Sequence, residues 1–324
     1  VLRVALWDAG LSRDGPGLLL RDLGRENPQI AAVAEVLDAA APDILVLTGT
    51  DADAAGITLR ALQDRFGFAL GLAPLGNAGR ATGIDMDGDG RTNTARDTQG
   101  YGEFTGDGSI AVLARAGLDL ALERDFTELL WRDLPDALLR PETLPTAAAE
   151  IQRLSSTSHW LLRAGPLRLM VYAATPPVFD GPEDRNGRRN HDETALWLHL
   201  LEGRLGAVPE GPLVLMGKTN IDRADGDGRP DALAALIAHP RLQDPAPRST
   251  GAVAVANPGH AGDPALDTAD FDDPAPGNLR VDYILPSSDL QVRDAAVIWP
   301  EEGSVAAAAS RHGLVWVDLV VPSP

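Results

Sequence analysis

The hydrophobic positions fall into short apolar runs set between longer amphipathic stretches. Residues 2–7 form one such run and end at Asp8; residues 43–47 form a second and end in Thr48-Gly49-Thr50-Asp51. Short apolar runs bounded by turn residues predict strands buried on both faces. Between them, Asn27 and Pro28 predict a helix start, and Ile30, Val33, Val36 and Leu37 continue it on one face. Residues 54–66 predict a second helix, whereas 15–24 read as loop. Strands that alternate with helices predict a layered α/β architecture.

The pattern continues with strands over 109–114, 154–162 and 167–173, the last two joined by Gly165-Pro166. Strands are also predicted over 280–285 and 314–320, and helices over 191–201 and 231–237. Residues 119–140 are mixed, 175–190 read as a long polar loop, and 244–278 read as a surface excursion rich in Gly, Pro, Ala and Asp. There is no internal repeat and no linker that splits the chain, so one domain over 1–324 is expected. The most central strand is predicted at 211–216, followed by Gly217, Lys218, Thr219, Asn220 and Asp222. Residues just past the carboxyl end of a buried strand are where sites tend to be built.

Composition narrows the function. The formal charge of −19 argues against general nucleic-acid binding, which depends on Lys and Arg meeting phosphates. The absence of cysteine excludes disulfides and thiol chemistry. No apolar run has the length of a membrane span. Residues 1–7 read as a strand rather than a signal peptide. Lys218 is the single lysine, so its place at the end of the central strand is hard to read as incidental.

Two aspartate-rich segments suggest metal. Asp85, Asp87, Asp89 and Asn93 fall at the first, third, fifth and ninth positions of a calcium loop, with Gly90 at its turn and Arg91 offering a carbonyl. The twelfth position is Arg96 rather than glutamate, and Asp97 follows. The expectation is a structural calcium; a solvated acidic loop is the alternative. Asp222, Asp225 and Asp227 form a weaker version with Asp231, which also suits a helix N-cap. Weak calcium loops fill outside the cell, so an extracellular or periplasmic protein is expected. His191 and Glu193 read as caps at a helix start, and His159, His199, His239 and His260 carry no assigned chemistry.

The strand ends at Asp8, Gly49, Ala173, Lys218 to Asn220, Asp282 and His312, taken in order, resemble the endonuclease/exonuclease/phosphatase superfamily. The run from Thr175 to Glu193, together with Arg280-Val-Asp-Tyr283 and Ser310-Arg-His312, resembles its exported bacterial branch. The resemblance covers nearly the whole chain. It implies a four-layered α/β sandwich of two packed mixed β-sheets flanked by helices (DNase I-like). It also implies metal-assisted phosphoester cleavage, in which a divalent ion screens the phosphate and an aspartate orients water.

Measured against that pattern, Asp8 stands for an asparagine, Gly49 for the metal-binding glutamate, Gly108 for a tyrosine and Ala173 for a histidine. Lys218 stands for the water-orienting aspartate, Thr219 for a phenylalanine and Arg311 for the aspartate before the last histidine. Asn220, Asp282 and His312 survive as remnants of the catalytic set, Asp282 as the residue that orients the histidine. Little is left to hold catalytic magnesium. Beside residual metal-free hydrolysis, two readings of the new cations stay open. In one, Lys218 fills the place of the ion and pairs with Asp8 or Asp222. In the other, Lys218 and Arg311, beside Asp8, Asn220 and His312, form a pocket for a phosphate-like or carboxylate ligand. The expected function is a catalytically degraded, exported binding or scaffold protein whose partner is a small anion or a protein. An active phosphodiesterase or phosphatase with a rebuilt site is the alternative; a nuclease is disfavoured by charge.

Overall fold

Period-two alternation divides each central strand between two neighbours, and that division generates the layers. A computed structural model describes residues 1–321. In β1 (Leu2–Leu11), Val4 and Leu6 face a second sheet while Ala5 and Trp7 face helices. In β2 (Ile44–Thr50), Ile44 and Val46 face the sheet and Leu45 and Leu47 the helices. The same sheet contains β3 (Leu70–Leu72), β4 (Ser109–Ala114), β12 (Gln291–Ile298) and β13 (Leu314–Val320). Its order is β12-β13-β1-β2-β4-β3, with β1 and β2 parallel.

The opposing sheet contains β5 (Leu120–Asp125), β6 (His159–Ala164), β7 (Leu167–Ala173), β8 (Leu213–Lys218) and β11 (Asp282–Pro286). Its order is β11-β8-β7-β6-β5, with β7 and β8 parallel. Val214 and Met216 of β8 meet the first sheet, whereas Leu213 and Leu215 pack outward on helices. Strands buried on both faces carry no polar positions until they reach an end, which is why they read as unbroken apolar runs. A ribbon of β9 (Ala269–Asp270) and β10 (Asn278–Leu279) forms a separate two-stranded sheet, bridged through Ala269 to His312 just before β13.

Helices supply the outer layers. Against the six-stranded sheet lie α1 (Leu18–Leu23), α2 (Pro28–Ala40), α3 (Ile57–Phe66) and α8 (Val305–Ala309). Asn27 caps α2 as expected, accepting from the Ile30 amide at 3.1 Å. The outer face of the other sheet is covered by α5 (Arg185–Leu201) and α6 (Asp231–Ile237); α4 (Thr146–Ile151) and α7 (Thr250–Ala254) are short connectors. The four-layered sandwich expected from the resemblance is the architecture observed.

Several boundaries differ from expectation. The loop predicted at 15–24 contains α1, whose Leu19 and Leu23 are buried. The strand predicted from 154 begins at His159. The excursion at 244–278 is partly interior, with Ala252, Ala265, Thr268, Ala269 and Asn278 buried. Asp231 opens α6 without capping it through its side chain.

The polar run from 175 onward is not all loop, because α5 begins at Arg185 and carries His191 and Glu193 inside it. Its polar residues point inward and tie loops together. Arg189 donates to the carbonyls of Leu154, Gln99, Arg153 and Ser155 at 2.6–3.0 Å. Glu193 accepts from the Ser156 amide and hydroxyl and from the Thr175 amide at 2.5–2.6 Å, so it is a buried tie rather than a cap. Burial lowers the Arg189 guanidinium to about 10, with Glu193 opposing that fall. Arg189→Met leaves the buried Leu154 carbonyl without a donor, removes one of two donors from the carbonyls of Gln99, Arg153 and Ser155, and leaves Glu193 without its countercharge. It is expected to cost about 3 kcal/mol or more, read as a fall in the urea midpoint at unchanged slope.

Candidate functional site

The site is the polar end of the inter-sheet layer. The inward series Val4-Leu6 of β1 continues to Asp8, and Ile44-Val46 of β2 continues to Thr48. On the other side Leu169-Val171 of β7 continues to Ala173, Val214-Met216 of β8 to Lys218, and Ile284 of β11 back to Asp282. Ladder register aligns these ends: Asp8 pairs with Thr48, and Lys218 pairs with both Ala173 and Asp282. Five strands therefore close the layer with one ring of side chains.

Two polar pairs cross between the sheets. Lys218 Nζ lies 2.5 Å from Asp8 Oδ2, with the two side chains 21% and 11% exposed. His312, just before β13, directs Nδ1 at Asp282 Oδ2 at 2.7 Å. Thr268 Oγ1 donates to the same Asp282 oxygen at 3.0 Å and accepts from the Val281 and Asp282 amides. Ser310 Oγ donates to the Asp8 carbonyl at 2.6 Å and accepts from the His312 amide, while Trp7 Nε1 donates to the His312 carbonyl at 2.7 Å. Thr268 lies in a segment with no apolar pattern, and neither its role nor that of Ser310 was expected. Asp282 Oδ1 and Thr48 Oγ1 are buried with no hydrogen-bond partner among the described residues.

The electrostatics follow from this contact. Burial pushes the Asp8 carboxyl up, but Lys218 and then His312 outweigh it and hold the group below the ordinary carboxylate range. Burial likewise works to lower the Lys218 ammonium, and Asp8 followed by Asp282 raises it above its ordinary value. Both members of the pair are charged at neutral pH.

The ring does not fit a catalytic divalent ion. A Cβ built on Gly49 falls 2.4 Å from Asp8 Oδ1 and 2.8 Å from its Cγ, so no carboxylate can stand there beside the present Asp8. Gly49 also has φ +58°, which favours glycine. An ion bound to Asp8 meets the Lys218 ammonium at the same oxygen. Of the two expected partners, Lys218 takes Asp8; Asp222 instead accepts from the amides of Ala224, Asp225 and Arg280.

Arg311 does not join the ring. Its Nε donates to the Asp270 carbonyl at 2.7 Å and its Nη2 pairs with Asp272 at 2.9 Å. Asn220 sits at φ +54° and donates Nδ2 to the Ala174 carbonyl at 2.7 Å, a backbone role beside the ring.

Of the two expected metal loops, only one gathers its carboxylates. Asp85, Asp87 and Asp89 place oxygens within 4.8 Å of one another. Asp85 accepts from the Gly88 and Gly90 amides, an arrangement that wraps the loop around the acids. At the twelfth position Arg96 approaches Asp87 at 3.7 Å, and Asp97 is committed to Met86 and Thr94, so neither adds a ligand. Asn93 turns its amide to Thr92, and the Arg91 amide is bonded to Asp89. Asp222, Asp225 and Asp227 form no such group among the described residues; Asp225 is taken by the amides of Ala261 and Gly262.

Near Asp222 and Asp225 lies Asp267, which is 8% exposed. Its carboxyl is pushed up to about 7, first by burial and then by Asp222. A carboxyl whose folded value is raised favours folding only when protonated. Its contribution is present below about pH 3.8 and is lost as pH rises through 7. Asp267→Asn is therefore expected to leave stability unchanged near the acid limit and to raise it at pH 8. Urea midpoints of the two proteins across pH 4 to 8 check this; parallel curves contradict it.

The model of the Endonuclease/Exonuclease/phosphatase family matches residues 11–312. Among solved structures, an endonuclease/exonuclease/phosphatase from Beutenbergia cavernae is 17% identical, with TM-score 0.52 over 99% of this chain and 71% of that one. A mannosyl-6-phosphatase of Bacteroides thetaiotaomicron is 14% identical, with TM-score 0.53 over 99% of this chain and 100% of that one. A 3′ phosphatase from Neisseria, bound to a product DNA hairpin, is 17% identical with TM-score 0.53 and the same coverage, 99% and 100%. At such identities the likeness is one of fold. A comparison with curated proteins gave no match.

Proposed function

Because the chain belongs to the endonuclease/exonuclease/phosphatase family, whose members are metal-dependent phosphoesterases, we propose that it is a member whose hydrolytic site has become a structural ion-pair network. On this reading it acts by binding, without turnover. The observation that carries the reading is the 2.5 Å contact of Lys218 with Asp8, beside a Gly49 with no room for a side chain. Metal-assisted hydrolysis needs positive charge free to meet the phosphate and the leaving oxygen. Here the nearest positive charge is spent on Asp8. Nor does Lys218 serve as a base, since an ammonium raised above its ordinary value holds its proton at neutral pH.

The small anionic ligand suggested by the sequence finds weak support. Asp8 and Asp282 supply two negative charges against the single ammonium of Lys218, and Arg311 is held by Asp270 and Asp272. One observation favours the alternative of a rebuilt but active hydrolase: His312 is oriented through Nδ1 by Asp282 and leaves Nε2 without a partner among the described residues. That is the geometry of a general acid or base.

Assays with a sugar phosphate, a 3′-phosphorylated oligonucleotide and a simple aryl phosphodiester, each with magnesium, manganese or calcium, separate the readings. The expected outcome is no turnover above buffer. Turnover abolished by His312→Ala or Asn220→Ala establishes the alternative.

The same proposal places calcium, as a structural ion, in the loop of Asp85, Asp87 and Asp89, and the protein outside the cytoplasm. The support is the convergence of the three carboxylates; the arginine at the twelfth position keeps the site weak, roughly in the millimolar range of extracellular modules. Calcium at about ten times its dissociation constant is expected to stabilise the fold by ~1.4 kcal/mol, a rise in Tm of about 2–4 °C. Asp85→Ala removes that rise. A wild-type Tm indifferent to calcium and to chelator contradicts the site.

A further inference from the structure

We infer that the Lys218 ammonium is a covalently tethered counterion that takes over the charge role of a divalent ion, and that removing it re-creates a divalent-cation site between the two sheets. The inference rests on the reading above that no metal serves this ring.

Asp8 approaches from the six-stranded sheet and Asp282 from the five-stranded one, and both sit on the inter-sheet face of their strands. Asp8 is 8% and Asp282 is 1% exposed. Carboxylates at such burial require positive charge beside them. Lys218 is placed to supply it to both. It lies opposite Asp282 in the ladder, its Nζ bonds Asp8, and the charge of each acid raises its proton affinity. His312, which faces Asp282, is the remaining positive contributor at Asp8.

Residue choice points the same way. Every other strongly basic side chain in the protein is arginine. Arginine carries a flat, delocalised charge that needs several acceptors in a plane, whereas lysine carries a compact, spherical one. Of the two, only the ammonium resembles a metal ion in shape.

Sterics complete the case. With Asp8 drawn to Lys218, its carboxyl group lies over Gly49, within 2.4–2.8 Å of any Cβ there. The carboxylate that the family pattern expects at that position and the present ion pair exclude one another. Gly49 and Lys218 thus form a matched set: the glycine makes room for the turned Asp8, and the lysine supplies the charge that the lost acid no longer recruits.

The test is thermal unfolding with and without manganese, followed in EDTA, in an Asp85→Ala background that silences the aspartate loop. Wild-type Lys218 is expected to give a Tm that manganese does not move. Lys218→Asp is expected to melt lower in EDTA and to gain about 4 °C or more on saturation with manganese. Lys218→Asn, which adds no charge, covers the case in which the aspartate variant fails to fold, and is expected to gain a smaller shift in the same direction. A manganese response in the wild-type ring, or none in whichever variants fold, overturns the inference; if neither variant folds in EDTA or manganese, the ion has failed to replace the ammonium and the inference is likewise overturned. Hydrolysis is a separate readout. Phosphoester turnover that persists in EDTA removes the binding-only reading and leaves this one intact.

Discussion

Charge balance at the open end of the inter-sheet layer is the constraint on which the rest of the site depends. The sandwich buries apolar residues from both sheets until β1, β2, β7, β8 and β11 run out of them together, and there the ring of Asp8, Thr48, Ala173, Lys218 and Asp282 begins. A ring that buries an acid from each sheet needs positive charge beside them. Lys218 meets that need from within the chain, linking residues 210 apart in sequence. The contact acts as a staple between sheets as well as a neutralising charge, so the polar end holds the layer closed where the apolar core stops.

A second buried polar system supports the first from behind. Helix α5 directs Arg189 and Glu193 into the interior, and Asn190 bridges the carbonyls of Thr175 and Thr219 at 2.7 Å. Thr175 follows β7 and Thr219 follows β8, so Asn190 fixes the two strand ends that carry Ala173 and Lys218. Asp192 accepts from the Trp131 indole and the Leu138 amide at 2.6 Å and holds another loop in the same way. The most recognisable run in the sequence is therefore largely architectural. Its buried charged residues supply partners to irregular backbone that cannot be buried without them.

What was legible in the sequence follows from the same physics. Doubly buried strands have continuous apolar runs, so the central strands were found, and with them the ends that carry the site. Strand β12 was missed because Gln291, Arg293 and Asp294 make its first half polar and leave only the short run Ala295 to Ile298. Helix α1 was missed because Gly15, Gly17 and Gly24 hide a turn of leucines. At the site, residue identities were legible and directions were not. Arg311 looked like a partner for Lys218, yet its partners Asp270 and Asp272 lie in a segment with no periodic signal. The weight of Gly49 was visible only as a missing acid; that Asp8 occupies its space is a fact of three dimensions.

Asp282, His312 and Asn220 each make contacts within the fold. Each is tied to the fold independently of any reaction. Asp282 is held by Thr268, and the His312 backbone by Trp7 and Ser310. Asn220 adopts a left-handed turn conformation that asparagine tolerates, and its amide closes on the Ala174 carbonyl. Among the replaced positions, Gly49, Ala173 and Lys218 stand where the family pattern has a metal-binding glutamate, a histidine and a water-orienting aspartate, side chains that in that pattern serve an ion or a substrate. On the proposed reading, loss of chemistry would remove the reason to keep such residues and leave the contacts that hold the others, so the remnants of the motif would mark the limits of the scaffold.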